Sequence, residues 1–192
     1  MKIFYDTEFI DDGTTIDLVS IGMVREDGAE LYAVSSEFNV AKLKANPWLV
    51  DNVWPSLPTR RHEGTRCAAC RPSGPGHLDL NHPDVRSRAQ IARLVEDFIL
   101  GPDHRTTGEL PDVELWAYYS AYDHVALAQL WGPMINLPQG IPMQTDDIVT
   151  LAKLAGLTPK DLPKQADGHH NALADARHNR VMADYIADHT TF

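Results

Sequence analysis

Apolar and polar positions alternate along the first forty residues in three blocks, and turn sequences separate the blocks. Residues 2–9, 15–25 and 30–38 are rich in β-branched and aromatic side chains, which strands favour. Asp11-Asp12-Gly13 and Glu26-Asp27-Gly28 stand between the blocks and are typical of short hairpin turns. This pattern predicts three antiparallel strands joined as a meander.

Beyond the meander, the apolar spacing is mostly that of helices. Residues 113–119 are the exception, because they form an apolar, β-rich run typical of a buried central strand. Residues 59–84 and 133–143 have no clear period and contain many proline and glycine residues, so we interpret both as loops and the first as an insertion. A short strand is expected near residues 143–146. Helices are predicted at residues 41–54 (broken at Pro47), 86–100, 122–132, 146–156 and 171–188.

The order of these elements predicts an α/β fold. A meander followed by strands that alternate with helices fits a mixed five-stranded sheet, antiparallel in part and parallel in part, with helices on its faces. The chain has 192 residues, which suits a single domain spanning residues 1–192. No apolar run reaches the roughly 18 residues that cross a bilayer, and the N-terminus is too short and too charged for a signal peptide. We therefore expect a cytoplasmic protein.

The net charge of −10 narrows the ways in which this chain can bind nucleic acid. Proteins that bind phosphates by charge neutralisation alone are usually basic. An acidic protein that binds phosphates needs another source of positive charge, and bound divalent cations are the natural one. Acidity alone is also explained by solubility, so the argument depends on where the carboxylates lie.

Two carboxylates stand close together on the first predicted strand. Asp6 and Glu8 are two residues apart, so both point to one face of the strand, about 6.6 Å apart along the chain. Such a pair can bind one hard cation. The alternative is an exposed strand face that carries two acids for solubility.

Three further candidates lie at helix starts in the second half of the chain. Asp123 follows the apolar run and begins the next helix, where it is either a metal ligand or a helix cap. Asp175 lies in the first turns of the last helix, and His170 lies five residues earlier, at its entrance. An imidazole side chain is well suited to accept a proton at neutral pH. The alternative is a histidine beside an ordinary helical acid, and His169 is an adjacent competitor for the role.

Taken in order, these motifs resemble the DEDDh exonucleases of the ribonuclease H-like superfamily. The stretches YDTEFIDDG, AYDHVALAQLWGPM and HNALADAR are most similar to the bacterial ribonuclease AS group, which are polyadenylate-specific 3′-exoribonucleases. Residues 2–25, 113–132 and 168–180 carry the resemblance. Relatives often have asparagine shortly before the second-motif aspartate, where this chain has Ser120 and Tyr122.

The resemblance implies a ribonuclease H-like sheet, a homodimer and a two-metal hydrolysis of RNA 3′ ends, adenylate-rich ones included. Mg²⁺ or Mn²⁺ suits the all-oxygen ligand set, and the product would be a nucleoside 5′-monophosphate. In this mechanism Asp6 bridges both ions, Glu8 and Asp175 complete one site, and Asp123 positions the second ion. His170 takes the proton from the attacking water.

Substrate contacts are predicted from strand adjacency and from the resemblance. Thr7 and Phe9 are expected to form the walls of the site. Ser20 and Ile21, on the next strand, are expected to contact the base or sugar. Core packing is the alternative for Phe9 and Ile21. Trp48 and Trp54 are candidates for base stacking, although their spacing of nearly two helical turns favours one buried stripe.

The insertion contains both cysteines of the chain, too few for a disulfide framework. Cys67, Cys70, His77 and His82 form a C-x2-C-x6-H-x4-H pattern that can supply four zinc ligands, with His62 upstream. Reduced surface thiols are the favoured interpretation, and a redox pair is the third. A local basic patch is either an RNA path or a solvated loop, and its members are Arg60, Arg61, Arg66 and Arg71.

Three functions are consistent with these features. The first is a metal-dependent 3′→5′ exoribonuclease, and the second is the same chemistry on DNA, since both use one kind of metal centre. Contacts to the 2′-hydroxyl would separate them but cannot be read from the sequence. The third is a non-catalytic nucleic-acid-binding module, which the presence of all five candidate residues disfavours.

Overall fold

The structure is a computed structural model that describes residues 1–63, 67–72 and 74–190. Within these ranges the chain forms eight strands and seven α-helices, with short 3₁₀ turns between some of them. The strands are Lys2–Asp11 (β1), Ile16–Arg25 (β2), Glu30–Ser35 (β3), Thr59–Arg60 (β4), His77–Leu78 (β5), Val85–Arg86 (β6), Glu114–Ala117 (β7) and Asp146–Asp147 (β8). The helices are Val40–Ala45 (α1), Pro47–Asn52 (α2), Arg88–Leu100 (α3), His104–Thr107 (α4), Ala121–Ala128 (α5), Ile148–Leu154 (α6) and Ala172–Asp188 (α7).

The predicted α/β fold is confirmed, with a mixed sheet of six strands in the order β6-β3-β2-β1-β7-β8. The pairs β1–β2 and β2–β3 are antiparallel, whereas β3–β6, β1–β7 and β7–β8 are parallel. The five predicted strands are all present. The sixth, β6, was missed because a strand of two residues carries no readable alternation.

The predicted insertion is more ordered than a plain loop. Strands β4 and β5 pair as a small antiparallel ladder, with Arg60 opposite His77. Arg61 donates to the carbonyls of Pro72 and Gly74, both at 2.8 Å, so this arginine holds the insertion together. Arg60 lies 3.6 Å from the Asp79 carboxylate. Arg66 lies outside the described residues, and an RNA path over the basic patch stays a prediction.

Apolar side chains fill both faces of the sheet. On one face, α3 and α5 pack on β1 and β2 through Ile91, Val95 and Leu127. On the other, α7 packs on β1 and β2, and α6 packs on α7 through residues such as Ile148 and Ile186. No helix in the described ranges is long and apolar enough to span a bilayer.

Gly22 on β2 allows the N-terminus of α7 to lie directly on the sheet. A Cβ atom at this position would lie 2.2 Å from the backbone nitrogen of Leu173 and 2.3 Å from the carbonyl carbon of Ala172. Gly22 pairs with Asp6 on β1, so the close approach brings the start of α7 next to Asp6. Further along α7, Asn179 Nδ2 donates to the carbonyl of Tyr5 at 2.9 Å.

The substitution Gly22→Ala is expected to lower the free energy of unfolding by about 1–3 kcal/mol, the usual cost of overpacking. The reason is that the helix backbone must move, since no flexible side chain is available to give way. Urea denaturation measures the change. The control is Met23→Leu, a volume-conserving change in the same strand that is expected to cost less than about 1.5 kcal/mol. Equal stability of Gly22→Ala and the wild type would contradict the close approach.

Candidate active site

Asp6 and Glu8 lie on the face of β1 that α7 covers. Gly22 is opposite Asp6 and Ser20 is opposite Glu8, and Glu8 is only 8% exposed. Burial, together with repulsion from Asp175 and Asp123, raises the pKa of Glu8 to about 8. Burial and its acidic neighbours also raise the pKa of Asp6 well above its ordinary value.

Asp123 lies in the first turn of α5 and reaches across to β1. Its Oδ1 accepts from the backbone N–H of Thr7 at 2.8 Å and from the Thr7 hydroxyl at 2.7 Å. These two bonds hold the carboxylate in one orientation. Burial raises the pKa of Asp123 to about 6, although the Thr7 hydrogen bonds act in the opposite direction.

Asp175 and His170 lie on either side of the start of α7. The helix is capped by Asn171, whose side chain accepts from the backbone N–H of Ala174 at 3.1 Å. The backbone N–H of His170 donates to Asp175 Oδ2 at 2.8 Å, and the Ser56 hydroxyl donates to the His170 carbonyl at 2.8 Å. Burial raises the pKa of Asp175. These bonds fix the loop before α7 relative to its first turn.

His170 has a backbone conformation that few residues adopt. Its φ is +62°, and among the described residues only Tyr119, with φ +56°, shares a positive φ without being glycine. Such conformations cost about 1–3 kcal/mol and cluster at functional sites. Both residues line the same cavity, so the strained positions lie where the candidate chemistry lies.

The five predicted catalytic residues converge at this cavity. One ligand atom from each of Glu8, His170 and Asp175 lies within 4.8 Å of the other two, and His170 Nδ1 is 3.9 Å from Glu8 Oε1. The lining of the cavity also includes Asp6 and Asp123. The fold therefore brings together residues that are more than a hundred positions apart in the sequence.

The donor atoms of the cluster are of the kind that divalent cations prefer. Four carboxylates supply oxygen ligands, which Mg²⁺ and Mn²⁺ prefer. Within the described ranges, no lysine or arginine forms an ion pair with any of the four. Burial and mutual repulsion raise the pKa values of Asp6 and Glu8. A bound cation is the group that would relieve this repulsion.

Aromatic side chains form the walls of the cavity, which has a volume of about 760 Å³. A β-bulge lies between Glu8 and Phe9, and bulges re-aim the side chains that follow them. Phe9 lines the cavity and stacks on Tyr122, with ring centroids 5.8 Å apart. Trp48 contacts the His170 ring edge-on at a centroid distance of 4.8 Å.

The predicted substrate contacts divide into two groups. Thr7 and Phe9 line the cavity. Ser20 and Ile21 do not, because both are fully buried, with Ile21 in the core cluster under α3. Side chains two residues apart on a strand point to the same face of the sheet. Ile21 points to the face of β2 that packs in the core. Direct substrate contact stays a prediction for all four residues, and the cavity lining favours it for Thr7 and Phe9.

The two tryptophans have different environments, so the favoured interpretation of one buried stripe is wrong. Trp54 is 3% exposed and donates from Nε1 to the carbonyl of Pro75 at 2.5 Å. Trp48 is 52% exposed and lines the cavity. A break at Val53, between α2 and the following 3₁₀ turn, alters the helical phase on which the stripe was based.

Sequence reasoning missed two residues that contact the site. Ser56 binds the His170 carbonyl, and the Gln165 side chain hydrogen-bonds to Asp175. Neither belongs to a motif, and Ser56 lies 114 residues from His170 in the sequence. Only the tertiary structure reveals these contacts.

The zinc set in the insertion, the alternative to reduced surface thiols, stays a prediction. His82 pairs with Asp84, whose backbone N–H donates to His82 Nδ1 at 3.2 Å. In place of His82, His62 lies near the other ligands, and its ligand atom is within 4.8 Å of those of Cys70 and His77. The predicted set was Cys67, Cys70, His77 and His82.

Comparison with known proteins assigns the chain to a family. Residues 77–187 match the domain described as "3′-5′ exoribonuclease Rv2179c-like". Two proteins of Mycobacterium tuberculosis are 43% identical to the chain over 177 residues, which is 92% of this chain and 88% of each relative. They are the 3′-5′ exoribonuclease MT2234.1 of strain CDC 1551 / Oshkosh and the 3′-5′ exoribonuclease Rv2179c of strain ATCC 25618 / H37Rv.

The chain belongs to this family. The matched range contains Asp123, His170 and Asp175, whereas Asp6 and Glu8 precede it. Family membership agrees with the enzyme class predicted from the sequence. The finer resemblance to DEDDh exonucleases and to the ribonuclease AS group stays a prediction, as do the roles of the individual residues.

Proposed function

We propose that this protein is a divalent-metal-dependent 3′→5′ exoribonuclease. In this proposal it is a hydrolase that shortens RNA from the 3′ end, prefers adenylate-rich ends and releases nucleoside 5′-monophosphates. The observation that carries the proposal is the convergence of four carboxylates and one imidazole, from distant parts of the chain, on one cavity. The family description and the names of both relatives support the reaction.

The arrangement of the carboxylates supports two cation positions. Asp6 would contribute to both, since its acidic neighbours are Asp123, Glu8 and Asp175. Glu8 and Asp175 would complete one position, and Asp123, held by Thr7, would complete the other. Mg²⁺ or Mn²⁺ bound there would supply Lewis-acid chemistry, drawing negative charge from the scissile phosphate and the leaving 3′ oxygen.

His170 would act as the proton acceptor. Its Nδ1 lies 3.9 Å from Glu8 Oε1, so the imidazole faces the carboxylates among which the attacking water must lie. A general base needs a fixed position within hydrogen-bond reach of the proton that it accepts. The contacts of His170 with Ser56, Asp175 and Trp48 supply that position.

The aromatic walls would hold the terminal nucleotides. Tyr122 and Trp48 are each 52% exposed at the cavity, and Phe9 stacks on Tyr122. Stacking of a base on an aromatic ring is worth about 1–3 kcal/mol. Purines offer the larger ring surface, which supports a preference for purine-rich ends, and adenylate-rich ends are among these. Thr7 would line the position next to the reacting phosphate.

An assay with end-labelled RNA and DNA tests the proposed function. Degradation of 5′-labelled RNA in Mg²⁺, by successive single-nucleotide steps, is the expected result. Removal of Mg²⁺ is expected to stop it, and polyadenylate is expected to be degraded faster than the other homopolymers. Faster degradation of DNA would identify the DNA exonuclease instead, and binding without degradation would identify the non-catalytic module.

Added Mg²⁺ is expected to raise the melting temperature by several degrees at about pH 8 and by little at about pH 5. The folded protein raises the pKa of Glu8 from 4.5 to about 8. A carboxyl group whose pKa is raised by folding stabilises the protein at pH values below its pKa in the unfolded chain. This stabilisation is lost as the pH rises through the pKa in the folded protein. The carboxylates are then charged, and a bound cation would offset their repulsion. Scanning calorimetry of protein dialysed free of Mg²⁺ measures the effect.

The substitution Asp6→Asn is the control for this effect. It removes one repelling charge and one cation ligand, so the Mg²⁺-dependent rise at about pH 8 is expected to disappear. If Mg²⁺ raised the melting temperature of Asp6→Asn, and by the same amount at both pH values, the assigned cation position would be contradicted.

We further propose that the enzyme works as a homodimer in the cytoplasm. The resemblance noted in the sequence implies the dimer. Light scattering on the purified protein measures its mass directly, and a mass of one chain would contradict the dimer.

A further inference from the structure

Four potential zinc ligands lie together in the insertion, away from the carboxylate cluster. Cys67 Sγ is 3.2 Å from His77 Nε2, and Cys70 Sγ is 3.7 Å from His62 Nδ1. The ligand atoms of His62, Cys70 and His77 all lie within 4.8 Å of one another. The two thiols also contact each other. The four side chains thus form one cluster, which we call the Cys2His2 cluster.

These distances fit a tetrahedral zinc ion. Zinc binds sulfur at about 2.3 Å and imidazole nitrogen at about 2.0–2.1 Å. A regular tetrahedron with these bond lengths separates its ligand atoms by roughly 3.3–3.8 Å. The two sulfur–nitrogen distances are close to this range. Cys67 lies outside the group whose ligand atoms are all within 4.8 Å of one another, so its sulfur would have to move towards His62 for all four ligands to bind one ion.

The backbone around the cluster orients its ligands. Pairing of β4 with β5 puts Arg60 opposite His77, which brings His62, two residues after Arg60, to the same end of the ladder. The backbone N–H groups of Ala69 and Cys70 donate to Cys67 Sγ. The backbone N–H of His62 donates to Cys70 Sγ at 3.3 Å. Both sulfurs therefore accept backbone hydrogen bonds, which orient them as ligands.

The insertion also has few other means of holding its shape. Its apolar contribution to the core among the described residues is Leu78, in a cluster with Trp54 and Leu57. Small structural units with little core are commonly stabilised by a metal ion or a disulfide. Both cysteines are free thiols in the structure.

We propose that His62, Cys67, Cys70 and His77 bind one structural Zn²⁺ ion. The ion would close the insertion into a compact unit against α1 and the Trp54 turn. The insertion contacts that surface through Lys44 Nζ, which donates to the Gly76 carbonyl at 2.9 Å, and through Trp54 Nε1, which donates to the Pro75 carbonyl. The family match begins at His77, so three of the four ligands precede the matched range.

Metal analysis of the purified protein tests the proposal. Protein expressed in zinc-supplemented medium and purified without chelator is expected to contain one zinc per chain by inductively coupled plasma mass spectrometry. Cys67→Ser and His62→Ala are each expected to lose it. His62 is exposed, and circular dichroism of His62→Ala checks that the variant is folded. The matched control is His82→Ala, which is expected to retain the full zinc content because His82 pairs with Asp84.

Substitution with Co²⁺ provides a second measurement. The cobalt protein is expected to show the intense visible absorption of a tetrahedral thiolate site, and His62→Ala is expected to weaken it. Zinc-free wild-type protein, or a Cys67–Cys70 disulfide found by mass spectrometry, would overturn the proposal. Loss of zinc in His82→Ala with retention in His62→Ala would overturn the assigned ligand set. Zinc content is measured independently of RNA hydrolysis, so neither result depends on the proposed function.

Discussion

Replacing Asp6 by alanine is expected to reduce RNA hydrolysis by at least about 10³-fold while the protein remains folded. Burial raises the pKa of Asp6, and repulsion from each of the other three carboxylates raises it further. Its loss removes a ligand from both proposed cation positions. Interactions with charge that develops in the transition state are worth about 10²–10³-fold for a single neutral donor, and a shared cation ligand is worth more.

The measurement is the rate constant for single-nucleotide release at saturating Mg²⁺ and RNA. The stability of Asp6→Ala without Mg²⁺ is expected to equal or exceed that of the wild type, because mutual repulsion is relieved. Asp184→Ala is the matched control, since this acid lies on α7 with 67% of its side chain exposed. It is expected to keep wild-type activity. Near-normal turnover by folded Asp6→Ala would contradict the proposed site.

The sequence predicted the candidate catalytic set through the resemblance of its ordered motifs, and strand and helix geometry fix the local parts of that set. Two residues on one strand share a face, as do Asp6 and Glu8, and residues at a helix start have fixed positions. The structure brings these parts to one cavity. Long-range pairing could not be predicted in the same way. The approach of Leu173 to Gly22 depends on the packing of α7 across the sheet, and nothing near Gly22 in the sequence signals it.

Two contacts in the structure depend on how strands pair. Phe9 lines the cavity, as expected from the sequence, and a bulge lies between Glu8 and Phe9. His62 lies near Cys70 and His77, and β4 pairs with β5 beside it. Both contacts depend on strand register, because a shift of one residue turns every side chain to the opposite face. Spacing along the chain ranks candidate ligands by sequence distance only. Register decides which of them meet.

His170→Ala is expected to lower the rate of RNA hydrolysis by about 10²–10⁴-fold, the usual contribution of a general base. In contrast to Asp6→Ala, it is expected to keep the Mg²⁺-dependent rise in melting temperature, because the imidazole accepts a proton and the carboxylates hold the ions. The Michaelis constant for RNA is expected to change little. Kinetics and calorimetry on the same preparation separate the two roles.

The matched control for this variant is His169→Ala, since His169 is the adjacent imidazole and is more exposed than His170. It is expected to retain most of the activity. Added imidazole is expected to restore part of the activity of His170→Ala, because a free base can occupy the space next to Trp48 and Glu8. If His170→Ala lost the Mg²⁺ response as Asp6→Ala does, His170 would be a cation ligand. The cluster of Glu8, His170 and Asp175 would then be one mixed metal site, and the proton would require another acceptor.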